Sequence, residues 1–160
     1  APVEGKGLGV LALRDIAPGE LVVAEEPVLV YNQRDDGAAP LRESLRRQLG
    51  ELGSAQQDAV MALHDACVRS EEKTLEGIIF SNAFARDAAV FDAALCLVGS
   101  RFNHSCTPNC EQSWDADASR VQVFASTAIR EGEELCTYYV DLHAPVSERQ
   151  RLLWERFRFR

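Results

Sequence analysis

Arg101-Phe102-Asn103-His104-Ser105-Cys106-Thr107-Pro108-Asn109-Cys110 follows directly on the apolar run Leu95 to Val98 and is dense in side chains that bind by hydrogen bonds or sulfur. Such a cluster marks either a turn or a site. Asx-type turns fixed by Pro108, with His104 hydrogen-bonded inside the fold, would account for it structurally. The same groups could hold a ligand. Cys106 and Cys110 stand four apart, but a tetrahedral zinc site needs four ligands and no other Cys/His pair has suitable spacing. A complete zinc site inside this chain is therefore not expected.

Downstream of the cluster the pattern is β. Cys110 to Trp114 and Arg120 to Phe124 flank the turn-rich Asp115 to Ser119 and predict a hairpin. Ile129-Arg130-Glu131-Gly132-Glu133 is a turn leading into Leu135 to Val140, and Ser147 opens an amphipathic helix carrying Leu152, Leu153 and Trp154. Upstream, Val10 to Leu13, Glu20 to Ala24 and Val28 to Tyr31 are short β-like runs broken at Pro18-Gly19 and Pro27. Between the two β regions the period changes to that of helices. Leu41, Leu45 and Leu49 define one helix, opened by Pro40. Ser54 and Gln57 form a capping-box signature ahead of Val60, Leu63 and Cys67, and a third helix is predicted over Glu71 to Phe84. The expected fold class is mostly β with an α-helical insertion. It forms one domain over 1–160, with an N-terminal β part at 1–32, the insertion at 40–85, a C-terminal core at 86–144 and a final helix beginning within 145–160.

Two further segments carry chemistry. Gly5-Lys6-Gly7-Leu8-Gly9 lacks the spacing of a dinucleotide fingerprint or a phosphate loop, and by itself reads as a turn or as backbone that a ligand can approach. Glu134-Leu135-Cys136-Thr137-Tyr138-Tyr139-Val140-Asp141 places two tyrosines side by side, pointing to opposite faces if the segment is a strand. One can face a pocket; a buried tyrosine bonded to backbone is the alternative.

The 160 residues are 46% hydrophobic and 26% charged, an ordinary globular composition. A net charge of −8 argues against direct binding of nucleic acid, which needs a clustered positive face, and would draw in basic peptides. No run approaches the roughly 18 apolar residues of a spanning helix, so no membrane partner is expected. Five scattered cysteines point to a reducing compartment, nuclear or cytoplasmic, rather than to a disulfide framework. The chain begins at Ala1-Pro2 and stops at Arg158-Phe159-Arg160, which reads as a piece of something longer. A monomer is expected.

Taken together and in this order, Gly7-Leu8-Gly9, Arg14-Asp15-Ile16-Ala17-Pro18-Gly19-Glu20, Arg101 to Asn109 and Gly132 to Asp141 resemble the SET-domain protein-lysine methyltransferases. Glu25-Glu26-Pro27-Val28-Leu29 and Gly77 to Phe84 are similar to the SET-and-MYND-like subgroup. The zinc finger of that subgroup is missing, since no cysteine lies between Leu29 and Asp58. Leu152 to Arg160 resembles the approach to the post-SET cysteines, which would begin where this chain stops. The resemblance implies a SET fold of small antiparallel sheets with a knot-like C-terminal threading.

It also implies transfer of a methyl group from S-adenosylmethionine to a lysine of a basic protein, histone or non-histone, in chromatin or elsewhere. Catalysis would rest on in-line orientation. On this reading Tyr139 is the catalytic tyrosine, while Tyr138 is structural. Lys6, Gly7, Leu8, Gly9, Asn103 and His104 bind the cofactor, with Asn82 and Ser100 as supporting contacts. Phe159 stacks on the adenine, and Phe84, Phe157 and Tyr139 line the lysine channel. Cys106 would join a zinc site only with post-SET cysteines outside this chain. A SET fold that serves as a non-enzymatic binding or scaffold module is the competing reading.

Overall fold

In the computed structural model, residues 1–32, 41–67, 72–87 and 92–159 are described. In chain order they form β1 (Pro2–Val3), β2 (Gly7–Leu8), β3 (Val10–Leu11), β4 (Leu21–Glu25), β5 (Leu29–Asn32), α1 (Leu41–Glu51), α2 (Ser54–Met61), α3 (Leu75–Asn82), β6 (Phe84–Asp87), β7 (Asp92–Leu95), β8 (Asn103–His104), β9 (Cys110–Asp115), β10 (Arg120–Ala125), β11 (Glu134–Thr137) and α4 (Val146–Phe157), with a 3-10 turn at Gly99–Arg101. Small sheets dominate and α1 to α3 interrupt them, so the architecture is mostly β with a helical insertion. Among the described residues no helix is long and apolar enough to cross a membrane.

The chain divides into two compact units. The first holds Ala1–Glu26 and Arg101–Leu153. Its largest sheet has the order β4-β10-β9, all antiparallel. The β9–β10 hairpin is the one expected from the sequence. Asp115 stabilises its turn by accepting from the Ala118 N–H at 3.0 Å and from the Gln122 amide at 2.9 Å, and Ser119 takes the left-handed φ of 49° that closes it. Along β10, Val121, Val123 and Ala125 are buried while the residues between them are half-exposed, the period of two that puts one face on a core. A second sheet, β3-β11-β8, is mixed: β11 runs antiparallel to β3 and parallel to β8, pairing Cys136 with Asn103 and Thr137 with His104.

The second unit holds Pro27–Ser100 and Trp154–Arg160. Sheet β5-β7-β6 and helices α1 to α3 bury Leu29, Leu45, Val60, Leu63, Ile78, Ile79 and Leu95 in one core. Leu41, Leu45 and Leu49 lie on α1 as their spacing predicts. The helix opening assigned to Pro40, and Glu71 at the start of the third helix, lie outside the described residues.

Three local expectations change. The capping box at Ser54 and Gln57 does not form, because Gly53 is the N-cap and the Gln57 amide donates to the Leu52 carbonyl at 2.9 Å. That helix ends at Met61, ahead of Leu63 and Cys67, where the Lys73 ammonium binds the carbonyls of Met61 and Leu63. Helix α3 starts later than predicted, capped by the Thr74 hydroxyl, which accepts from the Gly77 N–H at 3.0 Å. It also stops before Phe84, which pairs with Ala94 as the start of β6. Finally, β11 ends at Thr137, because its partner β8 ends at His104, so Tyr138 and Tyr139 lie past the strand.

Candidate active site

Within the first unit the structure brings together Lys6 to Gly9, Asn103, His104 and Tyr139. The parallel β8–β11 pair sets the frame, continued by the Ser105 N–H donating to the Thr137 carbonyl at 2.8 Å. Asn109 locks it: its Oδ1 accepts from the Cys136 N–H at 2.8 Å, and its Nδ2 donates to the Glu134 carbonyl at 2.9 Å. One side-chain amide thus satisfies both sides of a backbone edge that the two-residue β8 leaves open.

Glu134 is the hub of the glycine side. Lys6 donates to its Oε2 at 2.7 Å and Asn103 Nδ2 to its Oε1 at 2.8 Å. Burial alone would raise its pKa, but these bonds outweigh burial and hold the carboxylate below its ordinary value. Lys6 is raised, first by the bond to Glu134. A Cβ on Gly9 would collide with Val3, Asn103 and Glu134, so glycine is required there for close packing. Gly7 differs: φ is 79° and the space a Cβ would take is open.

On the tyrosine side, the Tyr139 N–H donates to His104 Nδ1 at 3.0 Å, and the Tyr139 hydroxyl donates to the Phe102 carbonyl at 2.7 Å. The two rings tilt against each other, with centroids 5.5 Å apart. Because Nδ1 accepts, the neutral imidazole carries its proton on Nε2, which lies 3.4 Å from Cys106 Sγ. Burial, then the cations Arg149 and Lys6, lower the His104 pKa and keep that neutral form. Burial, then the neighbouring Cys136 and Glu134, push Tyr139 up to about 12. The phenol therefore stays protonated at neutral pH. Arg149 on α4 donates to the Leu142 carbonyl at 2.7 Å, tying down the turn that follows Tyr139. Tyr138 is exposed.

The family model of the SET domain matches residues 7–140. The chain belongs to the SET-domain family. This SET domain is 35% identical to the histone-lysine N-methyltransferase set5 of Schizosaccharomyces pombe over 159 residues, covering 99% of the chain and 47% of the relative. It is 32% identical to the SET domain and MYND-type zinc finger protein 6 of the same yeast over 81 residues, 51% of the chain and 16% of the relative. It is 46% identical to the histone-lysine N-methyltransferase ash1 of Drosophila melanogaster over 57 residues, 30% of the chain and 3% of the relative. The chain thus spans less than half the length of these three relatives.

The remaining expected site residues of this SET domain lie in the second unit. Ser100 donates to the carbonyls of Cys96 and of Asn82, the latter at 3.1 Å. The Asn82 amide itself donates to the His64 and Ile78 carbonyls at 2.6 and 2.7 Å. Phe84 lies against Gly99, where a Cβ would strike its ring. Phe157 and Phe159 pack together with centroids 6.2 Å apart. Among the described residues no group of three or more His, Cys, Asp and Glu could hold a metal ion.

Glu134, Asn109 and Arg149 were missed as site residues from sequence. Glu134 carried a signal in being a carboxylate at the head of an apolar strand. The roles of Asn109 and Arg149 depend on partners 25 to 27 and 7 residues away, which no local pattern shows.

Proposed function

We propose that this chain, as one SET domain, transfers a methyl group from S-adenosylmethionine to the side chain of a lysine in a basic protein, a histone or a non-histone target. The observation that carries the reading is the placement of the Tyr139 hydroxyl on the Phe102 carbonyl, with its backbone N–H on His104. The hydroxyl is protonated and its proton is committed to a carbonyl. Its oxygen lone pairs remain as a fixed, neutral acceptor beside a second oxygen, suited to C–H···O contacts with a methyl group gaining positive charge.

The donor set fits the cofactor's amino-acid end and polar edge. The Lys6 ammonium and Asn103 amide can serve a carboxylate, the Glu134 carboxylate an ammonium, and the open backbone at Gly7 admits close approach. Asn82, Ser100 and Phe159 are assigned as further cofactor contacts, and Phe84 and Phe157 as channel walls, on family resemblance. S-adenosylmethionine, when bound, supplies the activated methyl. The names of set5 and ash1 support a histone substrate and hence a nuclear setting.

The test is a radiolabelled methyl-transfer assay on basic protein fractions, using the full-length protein. Tyr139→Phe should lose most transfer, on the order of 10²-fold or more for one oriented group. It should retain the rise in melting temperature that cofactor gives by mass action. A cofactor-bound wild type that methylates nothing would favour the scaffold reading.

A further inference from the structure

The outward face of the β4-β10-β9 sheet carries a groove of about 470 Å3 lined by Gly19, Glu111, Ser113, Phe124, Ala125 and Ser126. The register sets Phe124 opposite Glu111 on one neighbouring strand and opposite Leu21 on the other. A half-buried ring therefore lies between an exposed aliphatic side chain and a carboxylate. Among the described residues none pairs with the Glu111 carboxylate. Nearby acids differ: Glu20 is held by Arg14 and Asp115 by Arg120.

We propose that this groove docks an Arg or Lys side chain of the protein substrate, at a position in its sequence away from the lysine that is modified. The inference rests on the reading of the substrate as a basic protein. An aliphatic stem can pack on Leu21 and the Phe124 ring. The cationic head then meets Glu111 in a charge-assisted contact, with the Ser113 and Ser126 hydroxyls as further acceptors. A cation beside an aromatic face gains again from the ring. The net charge of −8 brings a basic chain to the surface, and the groove gives it a register.

The experiment is fluorescence anisotropy of a short labelled peptide of Arg and Ser residues titrated with the 160-residue chain, without cofactor. Glu111→Gln should weaken binding about threefold, the scale of one exposed ion pair, and Glu111→Lys more strongly. Glu131→Gln removes the same charge elsewhere and should bind as wild type. Equal weakening by Glu111→Gln and Glu131→Gln would show only the long-range field and overturn the site, and so would a wild type that does not bind the peptide. Because this titration measures binding and the transfer assay measures methylation, the two can fail separately: loss of the Glu111 effect overturns the groove, whereas Glu111-dependent binding without transfer in the separate assay favours the scaffold reading, with the groove docking a basic partner instead of a substrate.

Discussion

Glu134 shows how one carboxylate sets the chemistry of its neighbours. It receives Lys6 and Asn103 and sits close enough to raise Tyr139. Its folded pKa is depressed, so its contribution to stability is present above the unfolded carboxylate pKa and is lost as pH falls through the folded value. The Lys6 end is exposed, which limits the contribution to about 1 kcal/mol. Glu134→Gln should therefore lower the melting temperature at pH 7, and the gap from wild type should close as the pH is taken below about 4. A gap that stays constant with pH would mean that the charge on Glu134 does no stabilising work.

At the level of elements, α3 tests propensity against packing. Asp65 is buried, and its carboxylate accepts from the N–H groups of Cys67 and Thr74 at 2.8 and 2.9 Å, fixing the loop before the helix. A Cβ on Gly77 would collide with that carboxylate. Alanine is the better helix former by roughly 1 kcal/mol, yet Gly77→Ala should destabilise by about 2 kcal/mol or more in denaturant unfolding, because a buried carboxylate must move off its partners. The same element shows what the sequence could reveal. Thr74 and Gly77 lie inside the stretch predicted as helix from Glu71, and periodicity alone carried no sign that Asp65, nine residues before Thr74, would fix its start. Strands with alternating burial, such as β10, were legible because their period is local. The end of β11 was not, since it depends on how long β8 continues, some thirty residues earlier. The Gly, Asn-His and tyrosine segments of the site were readable only as a set, and Glu134 and Asn109 bind through pairings that the set does not display.

Across the molecule the five cysteines are thiols and none is joined in a disulfide. Cys67 and Cys106 are exposed, while Cys96, Cys110 and Cys136 are buried, and burial pushes Cys110 and Cys136 up to about 11. A thiol reagent at pH 8 should therefore modify two cysteines quickly in the folded chain, and the other three only after denaturant is added. Fast reaction of all five would contradict the packing around β9 and β11. The ion pair between Lys6 and Glu134 joins residues 128 positions apart. During synthesis, the β9–β10 hairpin can close while the chain is still emerging. The Gly7 segment and Asn103 must wait, without their carboxylate, until Glu134 clears the ribosome, and Tyr139 follows five residues later. The glycine segment is thus made first and finished late, by a carboxylate that arrives 128 positions after Lys6.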